Sequence, residues 1–123
     1  MRFVLPLAAL AALPAMAQPT DEAYVRANYT KYEYRIPMRD GKRLFTALYV
    51  PKDDSKPYPF LINRTPYSVA PYGVDHYRTS LGPDKLTRDG FIFVYQDVRG
   101  RFQSEGVFVE MTPHVANKKG PQD

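Results

Sequence analysis

The chain has 123 residues, 44% of them hydrophobic and 24% charged, with a formal net charge of +4. That length holds one small domain, and that balance suits a globular chain rather than a disordered one. With no cysteine and only two histidines, His76 and His114, it cannot build a disulfide scaffold, a thiolate nucleophile or a histidine-rich metal site, and its scattered Lys and Arg form no basic stripe for nucleic acid.

In chain order, Met1-Arg2 supplies a positive start, Phe3 to Leu13 (FVLPLAALAAL) an apolar core, and Ala15-Met16-Ala17 a small-x-small site. This is the pattern of a cleaved signal peptide over 1–17. Its apolar core is shorter than the roughly 20 residues of a bilayer-spanning helix. The mature protein is therefore expected to be exported, periplasmic or secreted, with no membrane attachment after cleavage. Residues 18–28 (QPTDEAYVRAN) are polar and mixed and read as a linker, with the folded region over 29–123.

Lys31 to Pro37 (KYEYRIP) alternates charged and bulky residues, so Tyr32, Tyr34 and Ile36 share the apolar face of a half-buried strand. Asp40-Gly41 tolerates the positive φ of a tight hairpin. Arg43 to Val50 (RLFTALYV) is a second strand, apolar on both faces and therefore deeper than the first, and Pro51 ends it. Pro59 to Asn63 (PFLIN) and Phe91 to Gln96 (FIFVYQ) are apolar runs without alternation, the mark of parallel strands covered on both faces. Between them, His76 to Asp89 forms the crossover, with Asp84 expected to cap a short helix over Lys85 to Arg88 and Gly90 to stop it. The predicted fold class is α/β: an antiparallel hairpin followed by a βαβ unit.

Such a sheet needs cover on both faces. The chain offers four strands and one or two short helices, and beyond Met111 it turns polar (TPHVANKKGPQD). The expectation is an incomplete sheet in a chain that stops before its fold is finished.

Three blocks, in this order and spacing, resemble one family: Ile36-Pro37-Met38-Arg39-Asp40-Gly41-Lys42-Arg43-Leu44, then Arg64-Thr65-Pro66-Tyr67, then Gln96-Asp97-Val98-Arg99-Gly100-Arg101-Phe102-Gln103-Ser104-Glu105-Gly106. They look like the serine hydrolases grouping X-Pro dipeptidyl-peptidases, cocaine esterase, glutaryl-cephalosporin acylases and α-amino acid ester hydrolases, over residues 29–117. The resemblance implies the N-terminal portion of an α/β-hydrolase domain that cleaves peptide bonds after proline, or small esters and amides, through an acyl-enzyme. It implies no cofactor and no metal. Its partner is a small acyl ester, amide or peptide substrate, with a homo-oligomer of the parent left open.

In that fold the nucleophile sits in a G-x-S-x-G turn between strand and helix. Of Ser55, Ser68, Ser80 and Ser104, only Ser104 (FQSEG) approaches the pattern, and Phe102 stands where the strained turn needs a small residue. Ser104 therefore reads as a loop residue, and His76 and His114 as surface or pocket-rim residues. Nucleophile, acid and base are expected outside this chain, which alone is expected to be inactive.

The resemblance also assigns Tyr67 as a donor of the oxyanion hole through its hydroxyl. A phenol is a neutral donor at pH 7, Pro66 restricts the backbone beside it, and the residue follows a parallel strand at the end where open α/β sheets bind ligands. Arg99 and Arg101 lie in the loop after the last strand, where Asp97 could pair with either. Two other readings stand beside the hydrolase: a small secreted non-catalytic β-rich binding module with tyrosines along a sheet face, and a subunit that complements a separately encoded remainder.

Overall fold

The computed structural model describes residues 19–110; the expected signal segment and the tail carrying His114 lie outside them. The elements are α1 (Glu22–Asn28), β1 (Tyr29–Pro37), β2 (Arg43–Pro51), β3 (Phe60–Thr65), α2 (Asp84–Arg88) and β4 (Ile92–Asp97). The strands form one sheet in the order β1-β2-β4-β3.

The segment expected as a linker is instead helical over 22–28. Asp21 caps it by accepting from the Tyr24 amide at 3.0 Å, and Arg26 pairs with Glu22 at 2.8 Å one turn away. Val25 is the buried residue of this helix. One buried position in seven residues leaves no helical period to read, so the composition looks like a linker although the helix packs.

The Asp-Gly hairpin forms as expected. Pro37 pairs with Arg43, Met38 N donates to Lys42 O at 2.7 Å, and Gly41 adopts φ 81°. The side of β1 that packs is the opposite of the expected one. Tyr32, Tyr34 and Ile36 face outward, while Tyr29 and Lys31 are buried. The cause is the loop that crosses this face, whose carbonyls satisfy Lys31 in a way that strand alternation cannot register. The deeper placing of β2 holds: Leu44, Phe45, Thr46, Ala47 and Tyr49 are all buried.

The β3–α2–β4 unit is parallel, from Phe60 opposite Ile92 to Thr65 opposite Asp97. On its other side β4 runs antiparallel to β2, with Thr46 opposite Gln96 and Tyr49 opposite Phe93, so the sheet is mixed. The expectation of two covered strands is corrected for one of them. β4 is interior, but β3 is the sheet edge, with Phe60 66% and Ile62 54% exposed. Asp84 is also not a cap: it is the first residue of α2, follows Pro83, and accepts a hydrogen bond from the Thr20 hydroxyl. Gly90 follows the helix with φ 85°, as a stop requires.

The core lies between the sheet and the crossover: Val25, Tyr29, Phe45, Ala47, Tyr49, Val69, Leu81, Phe93 and Tyr95. Its buried tyrosines pack edge to face, as Tyr49 does against Tyr95 with centroids 5.9 Å apart. Their hydroxyls meet crossover backbone: Tyr29 donates to Thr87 O at 2.6 Å, Tyr95 donates to Leu81 O, and Tyr49 accepts from Arg78 N at 3.2 Å.

Candidate active site

β3 and β4 end side by side, at Thr65 and Asp97, and the chain leaves the sheet from both. The Val98 amide still donates to Thr65 O at 3.2 Å, so the two exits remain joined. Tyr67 follows at once. Its amide donates to Thr65 Oγ1 at 3.0 Å, fixing the turn, while its side chain is 84% exposed at the carboxyl end of the parallel pair.

The backbone around Tyr67 is held from β4 and the turn after it. Arg101 Nε donates to Pro66 O at 3.1 Å. Asp97 is fully buried. Its Oδ1 accepts from the Val69 amide at 3.0 Å, and its Oδ2 from the Tyr72 hydroxyl at 2.9 Å and the Gln103 amide at 3.3 Å. Ser68 bends the chain at φ 67°, with Oγ 2.9 Å from the Tyr72 hydroxyl and 3.2 Å from the Ala70 amide. Burial raises the Tyr72 phenol above its ordinary range; the Asp97 carboxylate adds to that and the Ser68 hydroxyl opposes it. The Ala70–Pro71 bond is cis.

Farther along, the loop is clamped to β1. The Lys31 ammonium donates to Pro71 O at 2.7 Å, Gly73 O at 2.9 Å and His76 O at 2.8 Å, and lies 2.9 Å from Glu33 Oε1. The same carboxylate oxygen accepts from the Gly73 amide at 2.7 Å. Arg78 reaches back to Ala70 O at 2.8 Å and stacks over the Tyr95 ring. Nothing in strand alternation singled out Lys31, Glu33 or Tyr72. The one available signal was a Lys and a Glu two residues apart, on the same side of a strand otherwise read as solvent-facing.

Asp97 pairs with neither arginine suggested for it. Arg99 forms a two-pronged contact with Asp40 in the hairpin, at 2.8 and 3.3 Å. Burial works to raise the Asp40 carboxyl, but its bonds from Arg99 and Lys42 outweigh that and hold it below the usual range. Arg101 lies over the rings of Phe102 and Phe108, each at 5.2 Å.

Ser104 is a loop residue. Its hydroxyl donates to Asp97 O at 2.6 Å and accepts from the Phe45 amide at 2.8 Å. It therefore ties β2 to the exit of β4. It does not stand at a strand-to-helix turn, and Phe102 before it adopts φ 46°. His76 lies in the crossover, its carbonyl taken by Lys31 and its ring against Gly73. Among the described residues no group of three or more His, Asp or Glu side chains could hold a metal ion, and no helix is long and apolar enough to cross a membrane. What this end of the sheet presents is one exposed phenol on a backbone fixed from both sides.

Residues 40–119, more than half of the chain, match the sequence profile described as X-Pro dipeptidyl-peptidase (S15 family). The chain is 43% identical over 89 residues to the cocaine esterase of Rhodococcus sp. (strain MB1 Bresler), a match that takes in 72% of this chain and 14% of that protein. In structure it is similar to an aminopeptidase from a marine sediment archaeon, Thaumarchaeota archaeon, with TM-score 0.57 and 31% identity over 83% of this chain and 17% of that one. It is also similar to an α-amino acid ester hydrolase, with TM-score 0.56 and 35% identity over 81% of this chain and 16% of that one. The chain thus spans only a small part of the length of each relative, and the mixed sheet matches part of an α/β-hydrolase family member. The ordered sequence blocks, the strand order and the profile match agree: the chain belongs to the X-Pro dipeptidyl-peptidase (S15) family of serine hydrolases.

Proposed function

We propose that the chain is the N-terminal segment of an exported serine hydrolase that cleaves acyl bonds, in peptides after proline or in small esters and amides, with Tyr67 donating to the oxyanion. The observation that carries this is the placing of Tyr67. Its phenol is exposed at the carboxyl end of the parallel pair, on a backbone held at Pro66 O and Val69 N.

In acyl transfer a serine attacks the carbonyl carbon, the carbonyl oxygen gains negative charge, and the leaving group departs to give an acyl-enzyme that water then hydrolyses. A donor fixed before the reaction stabilises that oxygen without reorganising. On this reading the nucleophile, acid and base lie outside the described residues; Ser104, the serine nearest the G-x-S-x-G pattern, is engaged by Asp97 O and the Phe45 amide in a loop. The open β3 edge supports a fold continued by further chain and disfavours a self-contained binding module. The names of the relatives, an esterase, an aminopeptidase and an ester hydrolase, support the substrate class. Export rests on the signal pattern at 1–17.

The test is Tyr67→Phe in the full-length enzyme that carries this segment. It keeps the ring and removes the donor, and kcat should fall by about 10²-fold with KM little changed. A variant with undiminished kcat would show that the oxyanion is held by other groups.

A further inference from the structure

Tyr67 has little packing to aim it, since its side chain is mostly in solvent. The backbone at 66–69 therefore fixes where its Cα–Cβ bond points and so where the hydroxyl can reach, and that backbone is held from β4. Asp97 lies opposite Thr65 in the parallel register, at the point where both strands leave the sheet. Past that point the chain has left the ladder, and a buried amide without a partner is costly. The Asp97 carboxylate supplies a partner for the Val69 amide on the Tyr67 side and for the Gln103 amide on the other, and it also takes the Tyr72 hydroxyl. One buried side chain thus ties the segment bearing Tyr67 to the end of the interior strand.

We infer that Asp97 is a positioning residue for the Tyr67 hydroxyl, with Tyr72 as the second point through which it holds the 66–72 turn. The inference rests on the reading of Tyr67 as the oxyanion donor. Asn at 97 keeps the shape but has one accepting oxygen, so its NH₂ must face either the Val69 N–H or, on the other side, the Gln103 N–H beside the Tyr72 hydroxyl. Either outcome loosens the turn, and displacing a catalytic donor by an ångström is costly to rate.

The experiment is a cycle of four full-length enzymes, wild type, Y67F, D97N and Y67F/D97N, with kcat and KM measured on p-nitrophenyl acetate. D97N should lower kcat about tenfold with KM nearly unchanged, and should cost nothing further once the Tyr67 hydroxyl is gone. Tyr72→Phe, which deletes the second attachment and its contact with Ser68 but leaves the Asp97 carboxylate on Val69, should give a smaller loss with the same dependence on Tyr67, and it carries the cycle if D97N does not fold. If Y67F is strongly impaired and the 97 or 72 variant costs the same factor with and without the Tyr67 hydroxyl, the positioning role is overturned while the oxyanion reading stands. If Y67F keeps wild-type kcat, the oxyanion reading fails, and the positioning role fails with it.

Discussion

The ammonium of Lys31 has no exposed surface, and it is satisfied by three carbonyls of the crossover loop and by Glu33. A buried charge is stable only while those partners remain, and removing one member leaves the others unpaired. Lys31→Met, which keeps most of the stem volume, should therefore destabilise by about 3 kcal/mol, read as a lower urea midpoint of the full-length enzyme. A midpoint equal to wild type would mean that water replaces the ammonium at no cost. Two glycines give a graded comparison. A Cβ on Gly100 would lie 2.1 Å from Phe108 N and 2.5 Å from the Val107 carbonyl carbon, and backbone cannot yield that far. Gly41 has a similar positive φ, +81°, with no atom within 4 Å of such a Cβ. Gly41→Ala should cost about 1 kcal/mol from its backbone conformation alone. Gly100→Ala should lower the melting temperature several times as much, because the clash adds to the same strain.

Strands β1, β2 and β4 each send one tyrosine beneath the crossover, and hydroxyl bonds to backbone hold that layer down. Burial pushes the Tyr49 phenol up to about 12, partly opposed by Arg78, and it raises Tyr29 and Tyr95 as well. The folded chain therefore keeps these protons at a pH where the unfolded chain, titrating near 10, has lost them. The stability they contribute is complete below about pH 10 and declines as the pH rises from there towards 12. Denaturant midpoints across that window should fall, and Tyr49→Phe should make the fall shallower; a wild-type midpoint constant through the window would contradict the burial. At the other side of the sheet, β3 exposes apolar residues on both faces and an unpaired edge. The 123-residue chain alone should self-associate with rising concentration, and Ile62→Lys should suppress this in sedimentation experiments. A wild-type chain that stays monomeric would show the edge to be covered.

At the scale of the whole molecule, the proposed function gives this segment an oxyanion donor and leaves the nucleophile to the rest of the enzyme. A fluorophosphonate probe, which labels an activated serine, should label the full-length enzyme and leave the 123-residue chain unlabelled. Labelling of the short chain would place a working nucleophile within it, contrary to the bonded positions of Ser68 and Ser104.

The sequence by itself determined the hairpin, the interior character of β2, the pairing of β3 with β4 and the family. Each of these depends on local information: the positive φ of an Asp-Gly turn, apolar runs of strand length, and motifs in fixed order. Only the tertiary structure decided which side of β1 is covered, because Lys31 is charged and reads as solvent-facing until the crossover carbonyls close on it. It likewise decided the short helix at 22–28, which a single buried valine anchors, and the partners of Asp97. Those partners lie 28 and 25 residues away in the chain and meet only where two parallel strands end together.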